Sequence, residues 1–166
     1  LATGSVPSSI PVPGMEHVEV LTSDDVMKLR RQPESLVVQG AGPIAIEMAL
    51  FFARIGTRVV LVNRSRCLKH HDPEFGDEMK AALQSETNLQ VAAPGAIKSI
   101  EPDGGSARFT IEAEGRVLEF RSSRLLMALG REPATDGLGL AEAGIEVGNR
   151  WIIHTAAMQT TNPDVY

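Results

Sequence analysis

Between Ser35 and Gly56 the chain reads SLVVQGAGPIAIEMALFFARIG: a short apolar run, then Gly40-Ala41-Gly42, then a stretch of helix formers ended by another glycine. Few folds tolerate that order. Ser35 to Gln39 reads as a strand and Pro43 to Ile55 as a helix with Gly56 as its stop. A proline loses nothing at the first helical position, and a glycine past the end can turn left-handed. A second apolar run, Arg58 to Val62, follows without alternation, as in a strand buried on both faces of a parallel sheet.

The pattern then repeats. Asp72 and Pro73 open a second helix, with Asp72 as N-cap, running to about Gln84; LQVAA is a third strand. From Ala96 the period changes to two. AIKSIEPDGGSARFTIEAEGRVLEFRSS alternates apolar and polar residues, with turns at Asp103-Gly104-Gly105 and Glu114-Gly115, and gives three antiparallel strands. RLLMALG returns to a buried strand, Leu125 to Leu129. Before all this, residues 1–20 are rich in proline and glycine and read as an extended linker. Thr22 or Ser23 caps a short helix that Pro33 closes. The fold class is therefore α/β: a doubly wound parallel sheet with an inserted three-stranded antiparallel meander.

The totals exclude several functions. A chain of 166 residues suits one ordinary domain. Its net charge of −5 supplies no basic field for nucleic acid. No apolar run approaches the roughly 20 residues that span a bilayer. The single cysteine, Cys67, excludes an internal disulfide and fits a reducing, cytoplasmic setting. Neither LATGS nor TTNPDVY reads as a natural terminus, so we expect an excised fragment.

Gly40-Ala41-Gly42-Pro43-Ile44-Ala45 fits G-x-G-x-x-[G/A] in the context that gives the pattern meaning, between a strand and a helix. Gly40 permits the tight turn, Gly42 lets a pyrophosphate approach the backbone, and Ala45 allows close helix–strand packing. The unpaired first amides of the helix face the phosphates. In sheets that bind NAD, an acid at the end of the second strand accepts the ribose 2′-hydroxyl. That place, 21 residues beyond Gly42, is held by Asn63, followed by Arg64-Ser65-Arg66. Two guanidiniums and a hydroxyl suit a 2′-phosphate. NADP(H) is expected over NAD(H) by about 1.5–3 kcal/mol, roughly tenfold to a hundredfold. Cys67 has no partner thiol and reads as inert. His70-His71-Asp72 lacks the spacing of a metal site, and no metal is expected.

These motifs together resemble the NAD(P)-binding domain of the flavoprotein pyridine nucleotide-disulfide oxidoreductases, which include dihydrolipoamide dehydrogenase, glutathione reductase and mercuric reductase. VVQGAGPIAIEMA, with Glu47 seven residues after Gly40, carries the likeness. LATGSVP resembles the family's A-T-G-S crossover, MALGREPATDGLGL its A-x-G-R-x-P-N stretch, and TTNPDVY the approach to an A-x-G-D motif. The resemblance implies a Rossmann-like fold over residues 21–155. Residues 1–20 would cross from an FAD domain and 156–166 return to it. It implies that Gly40, Gly42, Pro43 and Ile44 bed the pyrophosphate and that Glu47 lies near the nicotinamide end. Arg64 would meet the 2′-phosphate, with Arg66 helping and Asn63 and Ser65 beside them. Gly130 would pass close to the nicotinamide half. Ala2, Thr3, Gly4 and Ser5 would touch FAD.

Three departures stand out: Ala45 for a more usual glycine, Asn63 for the usual acid, and Pro43 where several members carry a bulky residue over the nicotinamide pocket. The family's redox-active cysteine pair and active-site histidine are not in this chain. By resemblance, then, the fragment binds a pyridine nucleotide without turning it over. Its parent, a homodimer, would add the FAD domain and a dimerisation domain. The alternatives are the same domain of an NADH oxidase or ferredoxin reductase-like flavoenzyme, and a free-standing nucleotide-binding module. Neither nucleic acid nor membrane is expected as a partner.

Overall fold

Side chains of the apolar runs alternate between two buried clusters, and that alternation defines the layers. In chain order the elements are β1 (Ser5–Pro7), β2 (Glu19–Thr22), α1 (Ser23–Val26), β3 (Ser35–Gln39), α2 (Pro43–Arg54), β4 (Arg58–Val62) and α3 (Pro73–Gln84). They continue with β5 (Leu89–Ala92), β6 (Gly95–Asp103), β7 (Ser106–Ala113), β8 (Arg116–Ser122), β9 (Arg124–Met127), β10 (Arg131–Pro133), β11 (Val147–Gly148) and β12 (Trp151–Ile152). The computed structural model describes residues 1–166. They form two compact units, 7–130 and a smaller one made of 1–6 with 131–166.

In the larger unit five strands pair in the order β2-β9-β3-β4-β5, all parallel. Leu36 and Val38, Val59 and Leu61, and Leu126 face α2 and α3. Val37, Val60 and Val62, and Leu125 and Met127 face the meander β6-β7-β8, packing with Phe109 and Ile111. Both faces of the central strands are thus dry, which is why their sequences do not alternate. Each buried Val or Leu contributes about 1.5–3 kcal/mol relative to exposure.

Local chemistry fixes the helices. Pro43 starts α2 after the N-cap Gly42, and the helix buries Ala45, Ile46, Ala49, Phe52 and Ala53. Its last carbonyls are met from outside: Asn88 Nδ2 donates to Ala53 O (3.1 Å) and Gln32 Nε2 to Ile55 O (2.7 Å). Gly56, at φ +99°, ends it. The Asp72 carboxylate accepts from Glu74 N (3.0 Å) and caps α3.

The structure corrects the reading of the N-terminal segment. Residues 1–20 are not wholly linker: Glu19–Thr22 is the edge strand β2, parallel to β9. The segment EVLT buries only Leu21, so it has too few apolar residues to announce itself. The helix that follows is one turn, not a run to Pro33. The Asp25 carboxylate accepts from Thr22 N (3.0 Å) and Thr22 Oγ1 (2.7 Å), which holds it below the usual carboxylate range.

In the smaller unit β1 pairs with β10 and β11 with β12. The β11–β12 turn puts Asn149 and Arg150 at positive φ, the geometry of a tight hairpin. Arg150 Nη2 meets Glu132 Oε2 at 2.5 Å.

Candidate functional site

Gln39, Val62 and Met127 stand level at the carboxyl edge of the sheet, with Ala92 paired to Val62. Just beyond that edge lies a cleft of about 380 Å³. Gly40, Ala41, Gly42 and Pro43 form one wall; Ser65, Arg66 and the 68–71 loop another; Ala128, Leu129 and Gly130 the third. This is where open parallel sheets bind ligands.

The two loop glycines differ in kind. Gly40 sits at φ +134°, and a Cβ there would collide with the Ala128 carbonyl oxygen. Its N–H donates to Val62 O (2.9 Å), tying the loop to β4. The fold itself demands this glycine. Gly42 has ordinary dihedrals, φ −81° and ψ 177°, and a Cβ added there would meet nothing within 4 Å. No intramolecular contact requires a glycine at 42. The first helical bond of α2 runs from Ile46 N to Gly42 O, so the amides of Ile44 and Ala45 precede it, and Gly42 has no side chain to cap them. Gly42 and Pro43, which line the cleft, thus stand at the positive end of a 12-residue helix whose first amides lack an intrahelical acceptor.

The segment after β4 is tightly built. Asn63 N donates to Ala92 O (3.3 Å) and Gly95 N to Asn63 O (2.7 Å). The Asn63 side chain donates through Nδ2 to Ser65 Oγ (2.8 Å) and Ser65 O (3.1 Å). That leaves the Ser65 hydroxyl hydrogen free to donate outward. Arg66 clamps its own loop: its guanidinium donates to the carbonyls of His71 (2.7 Å), Lys69 (3.2 Å) and Asp72 (3.4 Å). Gly76 on α3 makes room, since a Cβ would come within 2.5 Å of Arg66 Nη1. Arg64 is exposed and its side chain has no polar partner; it lines not the main cleft but two smaller ones beside it. Lys69 and Ser65 line both the main cleft and one of those neighbours. Sequence reading missed Lys69; the cluster of basic residues from Arg64 to His71, in a chain of net charge −5, was the available signal.

Of the other expected residues, Pro43 and Gly130 line the cleft, while Ile44 and Glu47 are exposed on α2 outside its lining. Gly130, at φ +105°, needs to be glycine for its backbone alone. Ala2, Thr3, Gly4 and Ser5 lie in the smaller unit, where Ser5 Oγ accepts from Arg131 Nε (2.7 Å) and Gly4 O from Ala134 N (3.1 Å). Cys67 is buried in the helix-side cluster, and that burial pushes its thiol up, against an opposing pull from Lys80.

Fold and edge cleft together define a Rossmann-like α/β chain with an inserted meander. The family model for pyridine nucleotide-disulphide oxidoreductases matches residues 1–166, and the chain belongs to that family. It is 33% identical to the mercuric reductase of Bacillus cereus, over 100% of this chain and 26% of that protein. It is 32% identical to the dihydrolipoyl dehydrogenase of Bacillus subtilis (strain 168), over 100% of this chain and 36% of that protein. The chain thus spans about a third or less of the length of these relatives. Among solved structures it resembles the HOCl-induced flavoprotein disulfide reductase RclA from Escherichia coli, with TM-score 0.84 and 24% identity, covering 99% of this chain and 37% of that one. No helix is long and apolar enough to cross a membrane.

Proposed function

We propose that this chain is the pyridine-nucleotide-binding module of a flavin-dependent oxidoreductase and that it takes NADP(H) in preference to NAD(H). The observation that carries the reading is Gly42: a glycine that neither dihedral nor neighbour requires, beside free helix amides. A pyrophosphate fits there and a Cβ would obstruct it. Gly40, Pro43 and Ile44 shape the same bed, and Gly130 and Glu47 attend the nicotinamide half.

The 2′-phosphate falls to Arg64, Ser65 and Lys69. Arg64 has no competing partner, the Ser65 hydroxyl is held ready by Asn63, and the acid that would repel a phosphate is replaced by Asn63 itself. Arg66 shapes the loop that presents them. A bound nucleotide would supply hydride-transfer chemistry to the site, and Ala2, Thr3, Gly4 and Ser5 would touch the FAD of an adjoining domain. Cys67 is buried and alone, so any disulfide chemistry belongs to other parts of the parent, a cytoplasmic homodimer completed by a dimerisation domain.

The test is calorimetric titration of the chain with NADPH and then NADH at one low salt concentration. NADPH is expected to bind at least about tenfold tighter. Equal or tighter binding of NADH overturns the NADP(H) preference. No binding of either overturns the nucleotide-binding reading.

A further inference from the structure

Gln39 is out of place in its strand. It closes β3 on the meander face, in line with Val37 and level with Val62 and Met127. It is only 7% exposed, and its Oε1 is buried without a hydrogen-bond partner. The buried hydroxyls of Thr57, Ser122 and Thr160 are paired: Thr57 Oγ1 donates to Pro33 O (2.7 Å), Ser122 Oγ to Ser35 O (2.9 Å), and Thr160 Oγ1 to Val165 O (2.9 Å). A buried, unpaired amide oxygen is destabilising, and its presence in a native chain requires a reason.

Gln39 lines a second cleft, about 260 Å³, on the meander side of the sheet edge. Ile10, Val62 and Leu129 give it apolar walls, and Arg64 and Ser65 stand on its polar side. It shares Asn63, Ser65, Lys69 and Leu129 with the main cleft, so one extended ligand can occupy both. Apolar walls with the polar groups of Gln39 and Asn63 among them suit a flat heteroaromatic ring with a polar edge.

We propose that Gln39 reads the adenine of the bound dinucleotide, its side-chain amide meeting the amino edge of the base in this second cleft. The inference rests on the nucleotide-binding reading above. The adenine is carried by the ribose whose 2′-phosphate falls to Arg64 and Ser65, and both residues line the cleft that Gln39 also lines. Turned into the cleft, the amide lets Oε1 accept from the 6-amino group while Nε2 donates to a ring nitrogen, the two-point pairing that a glutamine amide makes with adenine. Binding thereby satisfies the orphaned oxygen. Hypoxanthine puts a carbonyl where the amino group was and sets two acceptors against each other.

The test is titration of the chain and of its Gln39→Leu variant with NADPH and with the hypoxanthine analogue of NADPH. The unaltered chain is expected to favour adenine by on the order of tenfold, and Gln39→Leu to bring the two ligands within about twofold. Gln39→Leu should unfold at the same temperature or higher, since it removes an unpaired buried amide, so a change in binding does not arise from misfolding. Equal affinity of the unaltered chain for both ligands overturns the role of Gln39, as does a preference that survives in Gln39→Leu. Equal loss of both ligands in Gln39→Leu marks a merely structural glutamine and overturns it too. If neither ligand binds the unaltered chain, the nucleotide-binding reading fails and this inference with it; binding without base preference overturns the inference alone.

Discussion

The carbonyl oxygen of Ala128 lies so close to Gly40 that no Cβ fits between them, and the next amide along, Ala128 N, donates to Gln39 O at 2.9 Å. The end of β9 is thus seated directly on the glycine turn. Gly40→Ala must both relieve that collision and hold alanine at φ +134°. A loss of at least about 2 kcal/mol is expected from the two effects together, read by urea unfolding. Gly42→Ala is the contrast. Nothing in the fold opposes its methyl group, so stability should stay within about 0.5 kcal/mol of the parent. Affinity for NADPH should nevertheless fall at least about tenfold, because the methyl group occupies the place of the pyrophosphate. A Gly42→Ala chain that keeps its affinity would remove the main support for the proposed function.

Arg64 and Arg66 are two residues apart and predict different outcomes. Arg64→Ala removes an exposed cation that touches nothing polar in the chain. Stability should not change, NADPH should weaken about tenfold, and NADH should be unaffected. Arg66→Ala removes a clamp on three carbonyls. It should cost about 1–2 kcal/mol of stability and weaken both nucleotides alike, because the 66–72 loop shapes the cleft. Raising ionic strength should shrink the NADPH preference of the parent chain, and should do so less in Arg64→Ala, where only Lys69 remains to meet the 2′-phosphate. Titrations of both variants with both nucleotides check all of this.

The sheet was legible in the sequence where burial is two-sided. Ser35–Gln39 and Arg58–Val62 match their strands residue for residue because unbroken apolar runs admit little else. The meander was legible for the opposite reason, its strict alternation with Asp103-Gly104-Gly105 and Glu114-Gly115 at the turns. β2 was hidden because an edge strand with one buried residue looks like a linker. The glycine loop was legible as a motif, but the division of labour within it was not, since only in the folded chain does Ala128 come to hold Gly40 while nothing holds Gly42. Side-chain direction was equally invisible. The spacing grouped Arg64 with Arg66, and the fold turns one toward the neighbouring clefts and ties the other into its loop. The unpaired amide of Gln39 left no trace in sequence at all, since a glutamine at a strand end is ordinary until its partners are sought.

Lys80 on α3 meets Glu114 in the β7–β8 turn at 2.7 Å, joining the helix layer to the meander. The Lys80 hydrogen bond and charge hold the Glu114 carboxyl below the usual carboxylate range. A carboxyl that is depressed in the folded state stabilises the fold above its unfolded value and ceases to do so as pH falls through its folded value. Acid unfolding should therefore begin at slightly higher pH in Glu114→Gln than in the parent. The effect should be small and should vanish in high salt. Circular dichroism along a pH series, with and without 1 M salt (roughly a 3 Å screening length), measures it.

Cys67 gives the corresponding effect on the alkaline side. It is 1% exposed among apolar side chains, and burial raises its thiol above the ordinary value. The unfolded chain, whose thiol is in water, loses its proton first. As pH rises through the ordinary thiol range, the unfolded state gains a favourable ionisation that the folded state lacks, so stability declines there and goes on declining until the folded thiol also ionises. Cys67→Ala should flatten that alkaline decline at a cost of about 1 kcal/mol from lost packing. In the native parent, alkylation by iodoacetamide at pH 8 should be slower than in the urea-unfolded chain by on the order of a hundredfold or more, because the thiol reacts only through opening. Rapid labelling of the native chain would mean an accessible, ionised thiol. That would reopen the assignment of Cys67 as packing, beside the loop that Arg66 holds shut.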